Sequence, residues 1–213
     1  LFALCPQLRL FDLVVAENGA VLYDPRRREE TLLATPPPER FIQQLRARGV
    51  EPLEVGKVVV VAHERHRIII HETIRELGLE LQVIYNRSSV MVLPPGVNKA
   101  SGLAVALRRL GLSRHEAIGI GDAENDYSFI RYCECGAAVA NAVDSLKESA
   151  DLVTQSPNGR GVAELVDELI KNDLKRLEGK IDRHLVMIGT REDGSAVRIP
   201  PYGHNILIAG PSG

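Results

Sequence analysis

The 213 residues suffice for one domain of ordinary size with an insert, or for two small domains. A composition of 45% hydrophobic and 25% charged residues is that of a soluble globular chain. A formal net charge of −2, 4% aromatics and no Trp exclude the basic footprint and stacking platform of a nucleic-acid binder, and offer no attraction to an anionic membrane.

The chain begins without Met, and "LFALCPQL" reads as the tail of a helix already under way. At the other end "HNILIAGPSG" is an apolar strand running into a glycine loop, so a piece of a longer chain is expected at both ends. "FDLVVAENG" is a short strand closed by the turn pair Asn18-Gly19, with "AVLYDP" as its hairpin return. The charge cluster "PRRREE" at 25–30 is expected to be a solvated turn. "PPPERFIQQLRARG" is a helix with prolines ahead of its first turn, Phe41, Ile42 and Leu45 on one face, and Gly49 as the stop. The strand "KVVVVAHE" and the helix "RHRIIIHETIRELG" follow, the latter with Ile70, Ile74 and Leu77 in line. Then comes the strand pair "LQVIYNRSSVMVLPPG", ended by Pro94-Pro95-Gly96.

"NKASGLAVALRRLG" is a helix whose apolar face is expected to be Leu103, Leu107 and Leu110. From 115 to 154 short apolar strands ("EAIGIGD", "GAAVANA", "LVT") alternate with helices, the mark of a parallel sheet covered on both faces. "GVAELVDELIKNDL" is a last amphipathic helix, and from about 183 a β-rich segment leads toward another domain.

The chemistry concentrates in "GIGDAENDYSFI". In an open parallel sheet, ligands bind beyond the carboxyl ends of the strands, where Asp122 sits. Asp126 lies one helical turn on and can face the same point. Two converging carboxylates suit a hard divalent cation such as Mg²⁺, which would carry a substrate phosphate. The same residues would equally serve as an N-capping cluster, Asp122 as the cap and Glu124 to Asp126 complementing the helix dipole; spacing alone leaves both readings open. Lys99 opens a helix after a rigid Pro-Pro-Gly turn, where a cation is badly placed for the dipole. It is either a surface lysine or the holder of an anion. The 23 residues between it and Asp122 form one helix–strand unit that can return both to one sheet edge.

"GDAENDYSFI" resembles the fourth motif, GDxxND, of the haloacid dehalogenase-like phosphatases. "PPGVNKASGLAVALRRLGL" resembles the third-motif lysine and helix of their Cof-type subfamily, and "VVAENGAVLYD" the strand leading into its cap. The resemblance spans about residues 8–172. It implies an α/β fold: an HAD-like Rossmannoid parallel sheet, incomplete here, with an inserted α+β cap. Residues 1–19 and 94–175 would form the core, 20–93 the cap, and 176–213 a linker and the start of a further domain. It also implies roles. Asp122 would ligate Mg²⁺, Asp126 the metal or its water, and Lys99 the phosphoryl group. Asn125 would position the lysine or the phosphate, and Asn18 and Gly19 would mark where the chain enters the substrate-selecting cap.

The family's nucleophile and acid/base aspartates lie in a DxD motif, and no DxD occurs in these residues. The first-strand and second-motif segments are absent too, which would part "FDLVVAEN" from "AIGIGD" and leave strand edges that favour association. The expected function is thus a Mg²⁺-dependent, cytoplasmic phosphatase acting on a small phosphorylated substrate through an aspartyl-phosphate, inactive as these residues stand. The alternative is a noncatalytic regulatory or interaction module beside an ATPase domain, since "ILIAGPSG" resembles the start of a P-loop with Gly210 as its first glycine. A receiver-like domain is disfavoured by the long insert. The three cysteines, Cys5, Cys133 and Cys135, suit a reducing compartment, and "CEC" lacks the second ligand pair of a zinc site. His63, His66 and His71 lack an assignable partner set and are expected to form a solvated face.

Overall fold

The computed structural model describes residues 7–86, 88–177, 181 and 184–199. The chain divides into two compact units, Leu1–Val166 and Asp167–Gly213.

The first unit holds three sheets. Strands β1 (Val14–Ala16), β2 (Val21–Asp24) and β3 (Glu29–Leu32) pair antiparallel in that order, with Val15 opposite Leu22 and Leu22 opposite Thr31. Asp24 makes the β2–β3 turn. Its Oδ1 accepts from the Arg26 and Arg27 amides, both at 3.0 Å. The Arg27 amide bond is the chief cause holding this carboxyl below its ordinary pKa. The expected solvated turn at 25–30 is therefore a turn only to Arg28, after which the chain becomes an edge strand. All four β3 residues are exposed, so no apolar alternation could announce it.

The next sheet has the order β4-β5-β7-β6, with β4 Leu53–Val55, β5 Val60–His63, β6 Gln82–Asn86 and β7 Ser89–Leu93, all antiparallel. Helices α1 (Glu39–Ala47) and α2 (Arg67–Glu76) contribute Phe41, Ile42, Leu45 and Ile70 to a core completed by Val60, Ala62, Val90 and Val92. Strand side chains alternate between faces, so Val61 and Met91 turn the other way, toward a second cluster around Ala20, Val58, Val59, Leu93 and Val97. "KVVVV" reads as an unbroken apolar run because both of its faces are covered.

Helix α3 (Lys99–Leu110) starts at a capping box: Ser101 N donates to Asn98 Oδ1 at 2.9 Å and Asn98 N to Ser101 Oγ at 3.0 Å. It ends at Gly111, whose φ of 73° is the left-handed C-cap. Its buried face keeps only Leu107 of the leucine line expected from the sequence, with Leu103 half-buried. Gly102, Ala106 and Leu107 are buried, whereas Leu110 is 44% exposed. Close backbone approach sets that face: a Cβ on Gly102 would lie 2.6 Å from Gly19 Cα and 2.6 Å from Val15 Cγ1. Gly102→Ala is expected to cost about 1–3 kcal/mol by overpacking a contact that includes backbone. Denaturant melts read that loss, and an unchanged midpoint would show that the helix shifts freely.

The third sheet is parallel, in the order β10-β9-β8, with β8 Ile118–Gly121, β9 Cys135–Ala138 and β10 Leu152–Val153. Helices α4 (Tyr127–Tyr132), α5 (Asp144–Ser149) and α6 (Asn158–Asn172) accompany it, and Ile130, Ala138, Val139, Ala142 and Leu146 form its core. This is the α/β arrangement expected for 115–154. Strands β1 and β8 stand in different sheets. Among the described residues no strand pairs with the outer edge of either.

In the second unit, Arg176 grips Glu168 through two nitrogens. Strands β11 (Val186–Thr190) and β12 (Ala196–Ile199) form an antiparallel hairpin with a bulge between Met187 and Gly189. The β-rich character expected from about 183 is present. The "ILIAGPSG" segment, with the P-loop resemblance it carries, lies outside the described residues. No helix among the described residues is long and apolar enough to cross a membrane.

Candidate active site

Strand β8 delivers the chain to Asp122 and Ala123, and a short 3-10 turn, Glu124–Asp126, leads into α4. This loop folds around Asp126, which is 4% exposed. Its Oδ2 accepts from the Asp122 amide at 2.9 Å and the Ala123 amide at 3.1 Å. Its Oδ1 accepts from the Lys99 ammonium. A buried carboxylate is tolerable only when partnered in this way. Gly121 leaves the room: a Cβ there would sit 2.5 Å from Asp126 Cβ. Capping and site-building, left open by the spacing, are thus divided within the loop. Asp126 satisfies the loop amides, while half-buried Asp122 lines a cleft.

Lys99, on the first turn of α3, also donates to Asn125 Oδ1 at 3.4 Å. Asn125 Nδ2 in turn donates to Asn18 Oδ1 at 3.4 Å. Asn18 sits in a turn whose three residues all have left-handed backbones, φ being 49° at Glu17, 54° at Asn18 and 103° at Gly19. At Gly19 no side chain is tolerable, since a Cβ would come within 2.0 Å of Asn98 O. The N-terminus of α3 therefore lies directly on this turn, so residues about 80 positions apart meet.

The cleft, about 390 Å³, is lined on one side by Lys99, Asp122, Ala123 and Asn125. Its other side is Val61, Asn86, Ser88, Ser89 and Met91 from the four-stranded sheet. Of the residues singled out in the sequence, Lys99, Asp122 and Asn125 line it directly. Asp126 lies behind Lys99, and Asn18 and Gly19 lie behind Asn125 and α3. Sequence reasoning missed the five residues of the opposite wall. The period-2 pattern of β5 and β7 could have shown which residues share a face with Val61 and Met91. It could not have shown what that face looks toward.

His63 and His71 are exposed and His66 is half-buried. His63 Nδ1 accepts from the Arg65 amide at 3.2 Å, His66 lies 3.0 Å from the Glu51 carbonyl, and His71 lies 3.3 Å from the Tyr85 hydroxyl. They turn to separate partners. Cys133 and Cys135 are buried thiols.

The profile of the haloacid dehalogenase-like hydrolases matches residues 14–166, which include the cleft and both of its walls. The chain belongs to the haloacid dehalogenase-like hydrolase family. Among curated relatives of this chain, Phosphoglycolate phosphatase 2 of Saccharolobus solfataricus is 41% identical over 88 residues, 41% of this chain and 37% of that protein. The Phosphoglycolate phosphatase of Methanothermobacter thermautotrophicus is 31% identical over 163 residues, covering 72% of this chain and 70% of that one. The chain thus spans little more than a third of the first relative and about seven-tenths of the second. In fold it is similar to a haloacid dehalogenase-like hydrolase from Bacteroides thetaiotaomicron, with a TM-score of 0.67 at 20% identity over 79% of this chain and 81% of that one. The HAD-like parallel sheet with an added α+β lobe, expected from the motifs, is therefore the fold of this chain.

Proposed function

We propose that this chain supplies the phosphate- and Mg²⁺-binding side of a Cof-type phosphate-monoester hydrolase, with residues of the four-stranded lobe acting as its cap. The observation that carries the reading is the convergence of the Lys99 ammonium with Asp126 and Asn125 at a cleft that Asp122 also lines. An ammonium has three N–H donors. Asp126 and Asn125 take two, which leaves one for a phosphoryl oxygen in the cleft. The Asp126 carboxylate holds the Lys99 ammonium in place, and Asn125 fixes its direction. The lobe wall closes over the substrate and excludes water, which strengthens the electrostatics of that contact.

The donors fit Mg²⁺. Carboxylate oxygen is a hard ligand, and no thiol or imidazole lines the cleft among the described residues. Asp122 would hold the ion directly. Asp126, with both oxygens engaged, would act through water. When bound, the cation supplies charge neutralisation for the phosphoryl oxygens.

The substrate class is a small phosphorylated metabolite, and 2-phosphoglycolate is the first to test because relatives carry that activity in their names. A covalent aspartyl-phosphate needs a nucleophile, and no DxD occurs in these 213 residues. A polypeptide of these residues is therefore expected to bind inorganic phosphate in a Mg²⁺-dependent manner by calorimetry, and to lose that binding in Asp122→Asn. It is expected to turn over neither 2-phosphoglycolate nor p-nitrophenyl phosphate above blank. A longer polypeptide that adds a DxD strand is expected to turn over at least one of them. Turnover by the 213-residue chain that disappears in Asp122→Ala would overturn the assignment of the nucleophile. Failure of the longer polypeptide would favour the noncatalytic regulatory module instead.

A further inference from the structure

Glu17 has no part in the chemistry above, yet its surroundings are built. The β4–β5 turn closes with Gly56 N donating to Val59 O at 2.8 Å. Its next three amides all point at one side chain. Lys57 N donates to Glu17 Oε1 at 2.9 Å, and Val58 N and Val59 N donate to Glu17 Oε2 at 2.8 and 2.9 Å. Successive amides converging on one anion make a nest, and here the chain's own carboxylate fills it. Gly56 is shaped to the same occupant, since a Cβ there would meet Glu17 Oε2 at 2.7 Å.

What lies on either side of this contact gives it meaning. Past the nest, β5 begins at Val60 and carries Val61 into the cleft wall. Past Glu17, Asn18 accepts from Asn125, which holds Lys99, and Gly19 abuts Asn98 at the start of α3. Glu17 and Asn18 both hold left-handed backbones that L-residues avoid. Such a conformation persists only where the surroundings over-determine it, and it clusters at functional sites. One strained turn thus grips the four-stranded lobe by the Glu17 side chain and the phosphate side of the cleft by the next two residues.

We propose that Glu17 is a positioning residue: by docking in the amide nest of residues 57–59 it sets the lobe wall of the cleft in register with Asn125 and Lys99. The juxtaposition stands on geometry alone, and only its consequence for ligand binding rests on the phosphatase reading.

The test uses the whole chain and nuclear magnetic resonance without ligand. In Glu17→Ala the amides of Lys57, Val58 and Val59 are expected to exchange about ten- to a hundred-fold faster, because each loses a hydrogen bond to a charged acceptor. The side-chain amide resonances of Asn125 are expected to move, although Asn125 does not touch Glu17. Glu17→Gln keeps one acceptor oxygen, enough for the Val58 and Val59 amides, and sets its NH₂ against the Lys57 amide. It should recover much of the protection at 58 and 59, little at 57, and part of the Asn125 shift. Gly56→Ala pushes a methyl group into the carboxylate and should reproduce them with Glu17 in place; it carries the test if Glu17→Ala does not fold. Unchanged exchange at 57–59 would overturn the latch. Faster exchange with an unmoved Asn125 would reduce it to a local contact and overturn the positioning role. Inorganic phosphate with Mg²⁺ is then titrated, with about ten-fold weaker binding expected in Glu17→Ala. If the unmutated chain binds no phosphate, the phosphatase reading falls while the resonance results still decide this one.

Discussion

A chain carrying Asp126→Ala is expected to melt about 5–15 °C below the unmutated one. The substitution removes the acceptor for the Asp122 and Ala123 amides and the partner of the Lys99 ammonium in one step. Ala123 is buried and Asp122 half-buried, and bonds to a charged acceptor are the stronger kind. Lys99 is 35% exposed, so its loss is discounted because water can resolvate it. The sum is about 2–4 kcal/mol, most of it from the amides. Asp126→Asn separates the contributions. Its oxygen can still serve the loop amides, but its NH₂ then faces an ammonium, a donor against a donor. It should recover most of the melting temperature and little of the lysine's placement. Differential scanning calorimetry of the three chains checks this; a loss below about 2 °C for Asp126→Ala would mean that the loop finds other acceptors.

Lys99→Met is expected to weaken inorganic phosphate binding by about 30- to 100-fold, the equivalent of about 2–3 kcal/mol. Lys99 is the one cationic side chain that lines the cleft among the described residues. Methionine matches its length and apolar stem, so shape is kept while the charge and three donors go. The variant should also be less stable, because Asp126 keeps its burial and loses its counter-ion. Lys99→Arg should recover only part of the affinity. A planar guanidinium cannot repeat the contacts of a compact ammonium that bonds Asp126, Asn125 and a ligand at once. Titration calorimetry at fixed Mg²⁺ distinguishes the cases. Equal affinity in Lys99→Met and the unmutated chain would remove the lysine from the site.

The residues that form the cleft were unevenly legible. Asp122, Asn125 and Asp126 sit within five positions of one another, right after an apolar strand, and their meeting is a local consequence of β8 ending and a helix beginning. Lys99 could be attached to them because a helix–strand unit returns the chain to the edge it left. The division of labour between the two aspartates was not legible. It depends on Asp126 turning back toward two amides, in space that Gly121 leaves open. The leucine line of α3 misled in part for a related reason: what packs against Gly102 is the backbone of Gly19 and the side chain of Val15, so the glycine side faces inward together with Leu107. Strand β3 escaped notice because a fully exposed edge strand has only backbone bonds to declare it.

Periodicity and turn chemistry act over a few residues, so the chain alone declared its alternation of strands and helices, its parallel sheet and its acidic loop. The opposite wall of the cleft, the chain of contacts from Asn18 through Asn125 to Lys99, and the nest around Glu17 join residues about 25 to more than 100 positions apart. Such meetings are set by how the sheets and helices pack, and nothing in the local pattern of either partner encodes them.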